Sequence, residues 1–220
     1  MRVFANRTAA GRELAPHLET YAHHPQGLVL ALPRGGVPVG AEIARHLHLP
    51  LDVLIVRKLG VPGQPELAMG AIGNGKVVLW RNLIAELGIT EEDIQTAIAQ
   101  ETQEAQRREA CYRAGYPPLD LHDRLVILVD DGVATGATML VAVRIVREHQ
   151  PQRLVVATPV IALESLATLR READQVVYLI APLDLDGIGL WYEDFRQLSD
   201  REVVETLAQV NRLTQPPPRC

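Results

Sequence analysis

The 220 residues carry 27 acids against 22 bases, a formal net charge of −5, and are 47% hydrophobic but only 4% aromatic. That acidic balance argues against a general nucleic-acid binder, which carries a basic surplus. The aliphatic character points to a core of Val, Leu, Ile and Ala, as in a parallel sheet covered on both faces. Cys111 and Cys220 are too few and too far apart for a disulfide framework. No stretch reaches the roughly 18 apolar residues of a membrane span, and the opening MRVFANRTAAGREL has no signal-peptide run. The expectation is a cytoplasmic protein with free thiols and no membrane partner.

In chain order, Leu14, Leu18 and Tyr21 fall at helical spacing and predict a helix over 7–22. Residues 27–32 (GLVLAL) read as a buried strand broken by Pro33-Arg34-Gly35-Gly36. Val39, Ile43, Ala44 and Leu47 form the next helical face, and 51–56 (LDVLIV) the second strand. Strand, helix, strand is the signal of a parallel βαβ unit. Residues 57–67 hold two Gly and two Pro and read as a loop. Residues 68–72 and 76–80 flank Gly73-Asn74-Gly75, a hairpin signature. Thr90 followed by Glu91, Glu92 and Asp93 predicts a capped helix to about Arg113, polar nearly all round and so an arm or a partner-facing element. Strands are predicted at 125–129, 153–160 and 175–180, with helices from Gly136, over 162–172 and over 199–213. Ser199 and Glu202 make a capping box on the last. The expected layout is one α/β domain, 1–213, with a disordered tail at 214–220.

The chemistry concentrates in 126–138, VILVDDGVATGAT. An aliphatic strand ends at two carboxylates, Asp130 and Asp131. Gly132, Val133, Ala134, Thr135, Gly136, Ala137 and Thr138 then make a small-residue turn into a helix. Ligands of open α/β sheets bind beyond the carboxyl ends of the strands. Free N–H groups at a helix start favour an anion such as phosphate. Two carboxylates beside a phosphate call for sugar hydroxyls or Mg²⁺ as partners. The loop therefore suits a ligand with a phosphate next to a diol.

This run resembles the phosphoribosyl pyrophosphate motif of type I phosphoribosyltransferases, with every restricted position met. The resemblance implies that family's parallel sheet flanked by helices. It further implies a flexible lid at the hairpin over 59–80 and a small hood at about 181–198. Asp130 and Asp131 would hold the ribose hydroxyls and, through the ligand, Mg²⁺, while 134–138 would hold the 5′-phosphate. Arg34, Gly35 and Gly36 match the pyrophosphate loop, in which the family often has a cis peptide bond, here Pro33–Arg34. Arg57 and Lys58, at the same edge, would neutralise the leaving pyrophosphate, with Arg34 and Lys58 counted with the acids as catalytic. Glu66 is a candidate general acid. In the hood, Trp191 and Tyr192, with Phe195 beside them, would stack on a base, and Asp184 or Asp186 would take its N–H groups. Gly70 to Lys76 (GAIGNGK) resembles a nucleotide P-loop, but Val77 replaces its Ser/Thr and the context is a hairpin.

One position departs from the pattern. Enzymes acting on 6-oxopurines carry a carboxylate where this chain has Ala134, so such a substrate is not implied. The function implied is phosphoribosyl transfer to a nitrogenous base, in a homodimer, with the 90–113 helix as a dimer or lid-supporting arm. A ribose-phosphate sensor that has lost catalysis is the alternative.

Overall fold

The computed structural model describes residues 3–214, apart from the side chains of Pro65, Glu66 and Thr214. A five-stranded parallel sheet runs in the order β2 (Leu51–Val53), β1 (Gly27–Ala31), β6 (Leu125–Val129), β7 (Arg153–Val160), β8 (Gln175–Ile180). All five residues of β1 and of β6 are buried. Alternation divides them between two cores: Val29, Ala31, Ile127 and Val129 face one layer, and Leu28, Leu30, Val126 and Leu128 the other. The first layer is built by α1 (Arg7–Leu14), α2 (Gly36–Leu47) and α7 (Asp200–Thr214), the second by α5 (Ala137–Arg147) and α6 (Leu163–Glu172). Each Val, Leu or Ile among them contributes about 1.5–3 kcal/mol on full burial, which is why the aliphatic runs choose the centre of the sheet.

A second sheet, antiparallel, is made by β3 (Val56–Val61), β4 (Gln64–Gly73) and β5 (Lys76–Leu79). This corrects two expectations. The run 51–56 is not one strand: 51–53 belong to the parallel sheet, Leu54 and Ile55 are buried between, and Val56 opens the other sheet. Residues 57–67, with their Gly and Pro, are two strands and a turn rather than a loop. The predicted Asn-Gly hairpin is present, with Asn74 (φ 46°) and Gly75 (φ 71°) at its tip.

The predicted first helix is α-helical only to Leu14 and tightens to a 3₁₀ helix over Ala15–Tyr21, with Pro16 in its first turn. Proline has no N–H to bond back along an α-helix. A short helix not foreseen, α3 (Arg81–Leu87), follows β5. Helix α4 (Glu91–Tyr112) has the expected Thr90–Asp93 capping box. It buries Ile94, Ala105 and Tyr112, the first against Leu59, Val61 and Met69 of the small sheet. It is thus a strut under that sheet. Among the described residues no helix is long and apolar enough to cross a membrane. Cys111 is a free, exposed thiol. Cys220 and the tail from 215 lie outside the described residues.

Candidate active site

Strands β1 and β6 are parallel neighbours with Ala31 beside Val129. The turns that follow them therefore emerge side by side at the carboxyl edge of the sheet. After β6, Val133 turns inward, its N–H donating to the Val160 carbonyl at 2.9 Å and its carbonyl accepting from Ala162 N–H at 2.8 Å. That stitch leaves Thr135, Ala137 and Thr138 around it, all three exposed. Gly136 has φ 74°, and a Cβ there would stand 2.8 Å from Ser165 Oγ. Ser165 in turn donates its hydroxyl to the Ala134 carbonyl at 2.6 Å. Helix α5 starts at Ala137, so its first N–H groups point into the turn with no helical acceptor. Asp130, the loop 132–138 and Ile188 enclose a cavity of about 200 Å³.

The turn after β1 comes against the acids. The Pro33–Arg34 peptide bond is cis, as the resemblance implies. A Cβ on Gly35 would lie 2.1 Å from Asp131 Oδ2, and one on Gly36 would lie 2.6 Å from the Val129 carbonyl oxygen. Only glycine permits either approach. Arg34, half-exposed, has its guanidinium 3.8 Å from Asp200, which also accepts the Tyr112 hydroxyl. Burial and that acid push the Tyr112 phenol up to about 12.

Burial, and then the charge of Asp131, raise the Asp130 carboxyl well above the usual range. Burial also raises Asp131, against the pull of Arg7, whose Nε donates to Asp131 Oδ2 at 2.6 Å. The backbone N–H of Asp131 donates to Asp130 Oδ1 at 2.8 Å. Arg7 is a site residue that the sequence reading did not foresee, since one arginine in an amphipathic helix carries no signal of its own. Ile188 was also unforeseen: it sits on Gly132, where a Cβ would meet its Cγ2 at 2.4 Å.

The hood differs from expectation in its aromatics. Phe4 forms a parallel bridge with Tyr192, and Phe4 N–H donates to the Trp191 carbonyl at 2.8 Å. Trp191 and Tyr192 are only 9% and 5% exposed, packed with Phe4, Ala10 and Val160. The Tyr192 ring lies between Phe4 and Phe195, and its hydroxyl donates to the Asp131 carbonyl at 2.5 Å. Burial, reinforced by Asp131, raises that phenol. Tyr192 braces the acid loop through its hydroxyl, and neither ring is left open as a stacking face. Asp184 is exposed on the hood, as are Asp186, Leu183 and Leu190.

Arg57 and Lys58 lie on β3, beside a cavity of about 650 Å³ shared with Gly63 and with Asp93 and Glu101 of α4. Arg57 Nε donates to Glu101 at 2.6 Å, so its charge is already matched across to α4. The backbone of Glu66 falls within β4, and its side chain lies outside what the structure describes.

A family model described as the phosphoribosyl transferase domain matches residues 6–181. A protein provisionally named phosphoribosyl transferase, from two strains of Mycobacterium tuberculosis, is 41% identical over 213 residues, 96% of this chain and 48% of the relative. The chain thus spans about half the length of the curated relatives it matches. The crystal structure of TT1426 from Thermus thermophilus superposes with TM-score 0.84 at 39% identity, over 95% of this chain and 99% of that one. The AQ2163 protein from Aquifex aeolicus superposes with TM-score 0.52 at 11% identity, over 91% and 84% of the two chains, a likeness of fold alone.

Proposed function

Since the chain belongs to the phosphoribosyltransferase family, we propose that it transfers a phosphoribosyl group from phosphoribosyl pyrophosphate to a nitrogenous base, releasing pyrophosphate. One observation carries the reading: the Pro33–Gly36 turn and the Asp130–Thr138 loop abut at the ends of neighbouring strands, Gly35 against Asp131. A donor with phosphate at one end and pyrophosphate at the other needs two such loops side by side.

In this arrangement the N–H groups of 134–138 and the Thr135 and Thr138 hydroxyls take the 5′-phosphate. Asp130 and Asp131 accept from the ribose hydroxyls. Arg34, with the backbone of Gly35 and Gly36, takes the pyrophosphate. Among the described residues no three His, Cys, Asp or Glu gather as a metal site. The acid pair and the donor's own phosphate oxygens fit a hard oxygen-seeking cation such as Mg²⁺, which would offset the charge of the leaving group. As the bond from C1′ to pyrophosphate breaks, negative charge grows toward Arg34 and the glycine N–H groups. Fixed donors and close placement therefore supply most of the rate. The small sheet, next to this edge, acts as the lid that excludes water. The acceptor lies under the hood. Ala134 brings no carboxylate to it, leaving exposed Asp184 and Asp186 to take ring N–H groups.

The test is pyrophosphate release from phosphoribosyl pyrophosphate and Mg²⁺ with pooled purine and pyrimidine bases. Release that depends on one base supports transfer and identifies the acceptor by deconvolution. No release from protein that binds the donor would replace this reading with that of a sensor.

A further inference from the structure

The loop over 134–138 has a cavity on either side. One, of about 200 Å³, lies toward Asp130 and Ile188. The other, of about 590 Å³, opens between α5 and α6, where Thr135 and Gly136 share it with Leu140, Ser165 and Thr168. Ser165 is the third residue of α6 and only 6% exposed, beside Leu166 and Leu169 as the other buried residues of that helix. A helical serine can return its hydroxyl to its own backbone. Here the hydroxyl leaves the helix and reaches the carbonyl of Ala134, 31 residues away in sequence. The missing side chain of Gly136 gives it the room. Backbone contacts already hold the start of α6 on the loop, since Ala162 N–H donates to the Val133 carbonyl and Val133 forms a parallel bridge with Ile161. The Ser165 bond is therefore spare as a fastening and acts on one peptide, Ala134–Thr135.

We propose that Ser165 is a positioning residue for the 5′-phosphate: by holding the Ala134 carbonyl on the α6 side of the loop, it turns the Thr135 N–H to the other side, into the cavity bounded by Asp130 and Ile188. This rests on the phosphoribosyl reading of the loop. The link is the planar trans peptide, whose C=O and N–H point in opposite directions, so that fixing one aims the other. A turn of small residues with glycine at positive φ puts little steric hindrance in the way of that peptide turning over, and the groove beside α6 has space for the N–H that would then face it. The overturned peptide would set a carbonyl oxygen against the phosphate and take a donor away from it. Ser165 opposes this by giving the carbonyl its partner on the side away from the anion. The Pro33–Gly36 turn is built at the end of a different strand and meets this loop at Asp131. Its grip on pyrophosphate does not pass through the Ala134–Thr135 peptide.

The experiment measures by calorimetry the binding of ribose 5-phosphate, of pyrophosphate with Mg²⁺ and of phosphoribosyl pyrophosphate with Mg²⁺ to wild type, Ser165→Ala and Ser165→Thr. Alanine suits a helix, and the Val133 contacts keep α6 in place, so the alanine variant is expected to fold. In Ser165→Ala, ribose 5-phosphate and the donor should each bind about tenfold more weakly, the scale of one hydrogen bond to a charged group, while pyrophosphate changes less than about twofold. Ser165→Thr, which keeps the hydroxyl, should stay within about threefold of wild type for all three. Equal losses for ribose 5-phosphate and pyrophosphate would mean that Ser165 only holds the fold of this edge, and would overturn the proposal. Unchanged affinities in Ser165→Ala, or a threonine variant as weak as the alanine one, would overturn it as well. If the alanine variant does not fold, Ser165→Cys, which fills the place with a weak donor, decides by the same comparison of losses. A wild type that binds none of the three ligands would be a different result, removing the phosphoribosyl reading and this inference with it.

Discussion

The loop between β6 and α5 uses consecutive residues, Asp130 to Thr138, whereas the small sheet of β3–β5 is tied down by residues scattered along the chain. The loop leaves a strand buried on both sides by parallel neighbours. It is then fixed by Val133 to β7 and α6, by Ser165, by Tyr192 and by Arg7. The small sheet rests on the Leu59, Val61 and Met69 cluster over Ile94. Its polar ties include the half-exposed Arg57–Glu101 pair, and Asn74 Nδ2 donating to the Leu119 carbonyl at 3.2 Å with His149 Nε2 at 3.3 Å. The groups proposed to meet the donor are held by polar contacts from many directions. The small sheet is held by one buried hydrophobic cluster and by polar ties that are only partly buried.

That contrast can be broken from either side. The largest effect is expected in the loop. Asp131→Asn should cut pyrophosphate release about 100-fold or more, the scale of losing one preorganised polar group, and near-normal turnover would count heavily against the mechanism. Gly35→Ala drives a Cβ into Asp131, and the forced shift of about 1–3 kcal/mol should appear as lost donor affinity in calorimetry. Asp130→Asn should separate stability from binding. A carboxyl raised on folding contributes stability below the ordinary aspartate range, and that contribution is lost as pH rises through the raised value. At neutral pH the ligand-free Asn variant should therefore melt higher, by about 2–4 °C for each 1 kcal/mol regained, while failing to bind the donor. A melting point unchanged from wild type would show that the burial of Asp130 carries no such cost.

In the small sheet the effects should be smaller. Asn74→Gly keeps the positive φ but removes the tie to Leu119 and His149, which should cost about 0.5–1.5 kcal/mol. It should appear as faster amide exchange confined to β4 and β5. Glu101→Gln releases Arg57 from a partly exposed pair worth about 0.2–1 kcal/mol. If the small sheet closes over the donor, pyrophosphate inhibition should strengthen by no more than about fivefold. A change larger than that of Gly35→Ala would invert the comparison.

What the sequence disclosed follows the same division. The 126–138 run, the Pro33–Gly36 turn and the Asn74 hairpin were legible because each is a local pattern whose geometry its own residue types impose. The break at Leu54–Ile55 was hidden, since an aliphatic run looks the same whether it stays in one buried sheet or passes between two. Helix α3 has no side-chain cap and no fully buried residue, only Ile84 packing part-buried on the small-sheet cluster, so neither helix signal marks it. Trp191 and Tyr192 were read toward a base. Their true partners, Phe4 and the Asp131 carbonyl, lie far off in sequence, as do Arg7's and Arg57's.

The bridge between Phe4 and Tyr192 also bears on how the molecule is made. During synthesis Phe4 leaves the ribosome before its partner and waits for it nearly two hundred residues later, roughly 10–40 s at ordinary elongation rates. Until then Asp131 lacks the Tyr192 hydroxyl, and Arg7 lacks the Phe195 ring and the Arg196 carbonyl that hold it. A nascent chain can lay down its central strands and both motif loops while Asp130 and Asp131 stand poorly supported, so the proposed donor site is completed only as the hood emerges and closes on a segment made nearly two hundred residues earlier.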